Sequence, residues 1–376
     1  MRKCKIILFG NTDWYLFNFR QSLAERLRAE GHDLLLISPP GPYGERLVSL
    51  GYRWEALPMD RRSLNPFREM KLLNHLVGMF RSEGPDIVHG FTIKAAVYGA
   101  IAGKVARVPA IVSSINGLGF VFIGKQIRAR LLRPFVRQAM RLAFSGNRCR
   151  VIVQNPTDKH QLVAERIISD ARIRRIPGSG VDCELFRPAE REIAAEGPLV
   201  ALLPARLLWD KGVGEFVEAS RILARKDIRF RIAGDIDDGN PAAIDRAQAE
   251  AWQEEGVVDL LGHVEDMASI LAGADIVVLP SYREGLPKSL IEAAACGKPI
   301  VTTDVPGCRD VVEDGKSGLI VPVRDAEALA AAIACLADDR QRREDFGAAA
   351  RRRAVREFDK EIIVRQTIGV YEDVVG

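Results

Sequence analysis

The sequence predicts an α/β protein of two doubly wound domains, each a parallel sheet covered by helices on both faces. Three observations carry this. Continuous Val, Ile and Leu runs alternate with helical stretches from end to end, as strands buried on both faces require. The alternation restarts once, near Leu199, and 376 residues suit two domains of ~150 residues each. Charge divides at the same place. Residues 1–189 hold 30 Lys and Arg against 15 Asp and Glu, and residues 190–376 hold 24 against 35, beneath a net charge of only +4. Halves so different face different surroundings, and the basic one suits an anionic partner.

The elements follow in order. Lys5 to Phe9 is an apolar run ending at Gly10, read as a first buried strand. A helix with Phe19, Leu23 and Leu27 on its inner side stops at Gly31. Asp33 to Ser38, Asp86 to His89, Ala110 to Ser113 and Val151 to Val153 repeat the strand theme. Pro177 to Pro198, rich in Pro, Gly, Glu and Arg, reads as a linker. Beyond it, Leu199 to Leu203, Ile228 to Ala233, Val257 to Leu261, Ala274 to Leu279 and Pro299 to Thr303 read as strands. Gly214 to Lys226 and Pro287 to Cys296 read as helices, and GLIVP at 318–322 as a hairpin. The expected division is a first domain at 1–180 and a second at 181–356, facing across a cleft. The terminal helix, about 357–376, is expected to pack back on the first.

Composition excludes several classes. Apolar residues at 47%, charged at 28% and aromatic at 7% rule out disorder and a small disulfide scaffold. The six cysteines form no Cys-x-x-Cys pair, which reads as free thiols in a reducing cytosol. The five histidines show no zinc spacing. Met1-Arg2-Lys3 runs straight into a strand, with no secretory signal expected. The uncharged run Val108 to Gly124 is too short and too broken to span a bilayer. A cytoplasmic chain follows, with any membrane contact peripheral. Gly10-Asn11-Thr12 lacks the glycines of a dinucleotide fingerprint. Gly-Lys-Ser at 315–317 lacks the earlier glycine of a P-loop, because Asp310 stands there. Asp235-x-Asp237 is the type of pair that holds Mn²⁺ in single-domain sugar transferases, but in this two-domain chain it reads as an acidic turn. No nucleic-acid recognition motif appears.

Residues 204–292 carry the chemistry. Arg206 follows a strand and Lys211 opens a helix, which puts two cations at the carboxyl edge of a parallel sheet. One offers forked hydrogen bonds and the other a point charge, a pairing suited to a diphosphate. Glu284-Gly285-Leu286-Pro287-Lys288 follows the strand DIVVLPS, and Pro287 suits the first turn of a helix. Gly285 and Leu286 then present backbone amides, while Glu284 and Glu292 offer carboxylates to a sugar hydroxyl and a ribose diol. Taken singly, each feature also suits a surface ion pair or a solvated helix end.

Arg206-x4-Lys211-Gly212, Gly262-His263-Val264 and Glu284-x7-Glu292, in this order and spacing, resemble the retaining GT-B-type glycosyltransferases of family 4. The likeness spans essentially the whole chain, including PGSGVD at 177–182, PSYREGLPKSLIEAAACGKPIV and GLIVP. NTDWYLFNFR, SPPGPYGERL and NGLGFVF narrow it toward bacterial enzymes that extend lipid-linked surface glycans. The resemblance implies two Rossmann-like domains and transfer of a hexose or N-acetylhexosamine from a nucleotide-sugar, with UDP the expected nucleotide. It implies a polyprenyl-diphosphate-linked acceptor, no cofactor and no metal. Arg206 and Lys211 would neutralise the departing diphosphate, and Glu292 would take the ribose. Glu284 with Gly285, Leu286, Pro287 and Lys288 would hold the donor sugar, and His263 and Val264 would meet the base. Gly10 and Asn11 stand where the family commonly has a Gly-Gly pair and would serve instead of it in binding the donor. His89 is the catalytic histidine candidate, although Phe91 replaces the second member of the His-x-His pair some relatives carry. Asn116 opens a loop where some carry another histidine.

Residues 87–157 contain 11 Lys and Arg and no acid. Arg130, Arg133, Arg137 and Arg141 fall on one side of a helix that Pro134 is expected to kink or restart. These four are read as a docking face for an anionic membrane or the acceptor's diphosphate, with a merely solvated basic face as the plainer reading. A nucleotide-sugar epimerase of the same fold and a non-catalytic glycan-assembly protein are the other function classes.

Overall fold

The structure, a computed structural model, describes residues 2–60, 63, 65–118, 127–189, 197–237 and 239–375, with side chains given outside 127–132. The chain forms two compact units, one of residues 1–179 with 361–376 and one of residues 180–360.

In the first unit, β1 (Lys5–Phe9), β2 (Asp33–Ser38), β3 (Arg53–Ala56), β4 (Ile87–Phe91), β5 (Ala110–Ile115), β6 (Cys149–Val153) and β7 (Ile173–Arg175) form one sheet in the order β3-β2-β1-β4-β5-β6-β7. All its pairings are parallel. Its helices are α1 (Asp13–Ala29), α2 (Pro42–Ser49), α3 (Pro66–Glu83), α4 (Ile93–Ala106), α5 (Ile127–Ala143) and α6 (Pro156–Ala164).

The second unit repeats the plan. Its strands β8 (Leu199–Leu203), β9 (Ile228–Ile232), β10 (Asp259–Leu260), β11 (Ile276–Leu279), β12 (Ile300–Thr303) and β13 (Gly318–Val321) lie in the order β10-β9-β8-β11-β12-β13. Its helices are α7 (Val213–Leu223), α8 (Arg246–Glu254), α9 (Met267–Gly273), α10 (Lys288–Ala295), α11 (Cys308–Val311), α12 (Ala326–Asp338) and α13 (Arg340–Arg353). The last helix, α14 (Lys360–Val375), returns to the first unit.

Each sheet is apolar on both faces because alternate strand residues serve different cores. Ile6 and Leu8 of β1 pack with Ile363, Tyr371 and Val374 of α14. Ile7 and Phe9 pack with Leu72, Leu76 and Phe80 of α3. In β8, Ala201 and Leu203 join Phe216 of α7, while Leu202 joins Leu290 and Ile291 of α10. Strand order reverses direction between β1 and β4, and again between β8 and β11. Open α/β sheets bind ligands beyond the carboxyl ends of the strands at such points.

Two local expectations are corrected. GLIVP is not a hairpin: Gly318–Val321 is a strand parallel to β12, and a Cβ on Gly318 would overlap the carbonyl of Ile300. Pro134 does not restart its helix, because α5 runs continuously through it. Pro134 itself is exposed, and the helix carries it without the hydrogen bond its missing N–H would make. Among the described residues, no helix is long and apolar enough to cross a membrane.

Candidate functional site

At the β8/β11 reversal, four loops are locked together by close backbone approaches. Gly234, just past β9, lies where a Cβ would overlap the carbonyl of Ala205. That approach lets the Leu207 N–H donate to the Asp235 carbonyl at 3.0 Å. It also carries Asp237 to Arg206, whose Nη1 donates to Oδ2 at 2.5 Å. Gly212 has φ 73° and no room for a Cβ beside the Pro280 carbonyl, which hooks the Lys211 turn onto the end of β11. The Tyr282 N–H and the Ser281 hydroxyl both donate to the Asp210 carbonyl, at 2.9 and 3.0 Å. Gly307, with φ 84°, packs under Glu284 and Gly285, and a Cβ there would come within 2.9 Å of both carbonyls.

These constraints bring the sequence-selected residues together. Lys211 is hydrogen-bonded through Nζ to Glu284. Arg206 stays 59% exposed at its side chain despite Asp237. Pro287 takes the cap position of α10 rather than its first turn, with Gly285 half-buried and Leu286 buried just before it. Glu292 lies inside α10, buried, with Lys288 Nζ 3.4 Å from its carboxylate. Burial pushes the Glu292 carboxyl above its usual range, and Lys288 opposes that shift only in part. His263 is exposed and Val264 half-buried in the turn after β10, where Gly262 has φ 65°. Sequence reasoning missed Gly234, Ser281 and Gly307, and it weighed Asp237 only as a metal ligand, not as the partner of Arg206. For the glycines, a signal existed: each sits just beyond a strand, where only a glycine allows so close an approach.

In the first unit, Gly10 lets α1 begin tight against β1, since a Cβ would fall 2.7 Å from Leu16. Asn11 follows it, and its Oδ1 is buried without a hydrogen-bond partner. His89 is wholly buried. Its Nδ1 lies 2.6 Å from the Tyr371 hydroxyl and its Nε2 2.7 Å from the Ser114 hydroxyl. Burial first, and the Arg20 charge second, hold its pKa well below the ordinary imidazole value. Thus placed, the ring is tied to β5 and α14 and closed to solvent, with burial favouring its neutral form.

The basic face of α5 is partly engaged within the first unit. Arg137 is paired with Glu165, and Arg141 donates to the carbonyls of Glu165 and Arg166 at 2.8 and 3.1 Å. Both are spent on the C-terminal end of α6, where cations complement the helix dipole. Arg133 is half-buried and also bonded. The Arg130 side chain lies outside the described residues. Among its described side chains α5 also exposes two large apolar ones, Phe135 at 75% and Leu142 at 59%.

The two Rossmann-like units have the architecture of a GT-B glycosyltransferase, and the comparisons give the same class. The chain belongs to the glycosyltransferases: residues 18–178 match the glycosyl transferase 4-like domain and residues 187–353 match glycosyl transferases group 1. It is 28% identical over 370 residues, 96% of each chain, to the N,N'-diacetylbacillosaminyl-diphospho-undecaprenol alpha-1,3-N-acetylgalactosaminyltransferase of Campylobacter jejuni. It is 26% identical over 296 residues, 76% of this chain and 74% of the relative, to the UDP-Gal:alpha-D-GlcNAc-diphosphoundecaprenol alpha-1,3-galactosyltransferase of Escherichia coli. The crystal structure of Anabaena HepE in complex with UDP superposes with a TM-score of 0.78 at 20% identity, covering 98% of this chain and 99% of that one.

Proposed function

We propose that the chain transfers a hexose or N-acetylhexosamine, with retention, from a UDP-sugar to a polyprenyl-diphosphate-linked glycan in bacterial surface glycan synthesis. The observation that carries this is the loop cluster holding Arg206, Lys211 and Glu284 beside buried Glu292 at the β8/β11 reversal. The names of the Campylobacter jejuni and Escherichia coli relatives supply the acceptor class, and the second supplies the nucleotide.

In this reading the second unit binds the donor. Arg206 and Lys211 exchange their carboxylate partners for diphosphate oxygens, and Glu284, released from Lys211, takes a donor hydroxyl. Glu292, buried beside Lys288, holds the ribose. The bond from the anomeric carbon to the diphosphate breaks with its electron pair leaving on the diphosphate. The acceptor oxygen forms the new bond on the same face, and a departing phosphate oxygen takes its proton. Arg206 and Lys211 stabilise the charge as it grows. His89 is a positioning residue, and the acceptor binds to the first unit.

The test is a screen of UDP-sugars for transfer to diphosphate-linked acceptors and for slow hydrolysis. Lys211→Ala should lower kcat/KM by ~2–4 kcal/mol in transition-state terms, or ~30- to 1000-fold, while the protein stays folded. Near-normal turnover would overturn the assignment. Inversion of a sugar carbon in the donor without any acceptor would instead make the chain an epimerase. Activity should persist in EDTA, because the two cations meet the diphosphate. Complete loss restored by Mn²⁺ would return Asp235 and Asp237 to the role of ligands.

A further inference from the structure

Arg20, on the inner side of α1, is 5% exposed. A guanidinium so far from water is costly unless an anion answers it. No described Asp or Glu pairs with it. Its Nε and Nη2 both donate to the Tyr15 hydroxyl, at 3.0 and 2.5 Å. It lies over the Phe91 ring, 4.4 Å from the centroid. Asn116 Nδ2 also reaches the Tyr15 oxygen, at 2.6 Å. Three donors therefore converge on a phenolic oxygen with two lone pairs.

The same edge holds unanswered acceptors. Asn11 Oδ1, in the loop after β1, and Asn116 Oδ1, in the loop after β5, are buried without partners. Turning the Asn116 amide would let Tyr15 donate to Oδ1, but would leave Nδ2 unpaired instead. A buried polar atom in this state is destabilising until something bonds to it. Between these loops, Thr92 follows β4 at φ 70° and ψ 162°, a conformation that a β-branched residue adopts only under constraint. All of this lies at the carboxyl ends of β1, β4 and β5, around the strand reversal of the first sheet.

We propose that this edge is the seat of a glycosyl phosphate, with its phosphate answering Arg20 and its sugar hydroxyls answering Asn11 and Asn116. It rests on the reading above and names the part of the acceptor that the first unit grips: the sugar ring together with the phosphate attached to it. Arg20 is suited to that phosphate because its fork matches two oxygens at once.

The experiment uses the full chain saturated with UDP, so that the donor site is filled. N-acetylglucosamine 1-phosphate, inorganic phosphate and N-acetylglucosamine are titrated separately and followed by NMR. Wild type should bind the glycosyl phosphate more tightly than either fragment. Arg20→Gln should weaken the glycosyl phosphate at least tenfold and leave the neutral sugar unchanged, with partial recovery in Arg20→Lys. Asn11→Ala and Asn116→Ala should weaken both sugars several-fold and leave inorganic phosphate unaffected. If Arg20→Gln does not fold, the two asparagine variants decide the matter by the same pattern. Wild type that ignores the glycosyl phosphate, or an Arg20→Gln protein that binds it normally, overturns the proposal. Glycosyl phosphate binding that depends on Arg20, in a chain that does not bind UDP, would support this seat and overturn the transferase reading instead.

Discussion

Lys211 and Glu284 are withdrawn from water, with side chains 22% and 12% exposed, and each is the other's counter-ion. Removing either leaves a poorly solvated charge without its partner, so the two substitutions differ in more than chemistry. Arg206 is the freer cation, held only at one end by Asp237. His89 is the opposite case, a titratable ring kept neutral by burial. Its folded-state pKa is depressed, so the unfolded chain binds the extra proton. The stability it contributes is complete above the ordinary value of ~6.5 and drains as pH falls below it, by up to ~1.4 kcal/mol per pH unit. Melting temperatures at pH 7.5 and 5.5 should therefore fall further apart in wild type than in His89→Gln, which cannot gain the proton. An equal fall in both would mean that His89 contributes nothing to acid sensitivity. At this scale the sequence showed which residue types matter, but not their partners. Asp237 lies 31 positions from Arg206, and the two meet only because Gly234 lets their loops touch.

The fold was legible at the level of elements because a parallel sheet leaves a strong trace. Strands such as IILF and LVALL are buried on both sides, so they appear as unbroken apolar runs rather than alternating ones. Where the trace is weaker, the reading failed for physical reasons. GLIVP has turn residues before it, and a strand at a sheet edge has the same composition as one arm of a hairpin. The acid-free stretch 87–157 ends in the first turn of α6, whose C-cap Glu165 folds back on α5. The pairing of α14 with the first unit rests on Tyr371, fully buried and bonded to His89. Tyr371→Phe removes one hydroxyl and leaves His89 Nδ1 buried without a partner, so it should cost ~1–3 kcal/mol. In Tyr371→Phe/His89→Gln the second change should cost much less than it does alone. Additive losses in denaturant titrations of the four proteins would show that the two side chains do not act as a unit.

Charge is distributed by unit across the molecule. The first unit carries 30 Lys and Arg against 16 Asp and Glu, and the second carries the remaining 24 against 34. A lipid-linked acceptor would draw the basic unit to an anionic surface, where each unpaired cation is worth ~1 kcal/mol. The helix first chosen for that contact spends Arg137 and Arg141 internally and presents Phe135 and Leu142 outward, so surface docking through α5 should be apolar with electrostatic help. Charge reversal at Arg137 and Arg141 should therefore lower the melting temperature by breaking the link to α6. Phe135→Glu with Leu142→Glu should leave melting and UDP affinity unchanged and cut sedimentation with anionic vesicles several-fold. Raising salt should release wild type only in part, because screening over ~10 Å at 0.1 M acts on charge and leaves the apolar contact intact. Vesicle binding by Phe135→Glu/Leu142→Glu at the wild-type level would mean that α5 is not the docking element, and that the basic excess of the first unit acts through another face.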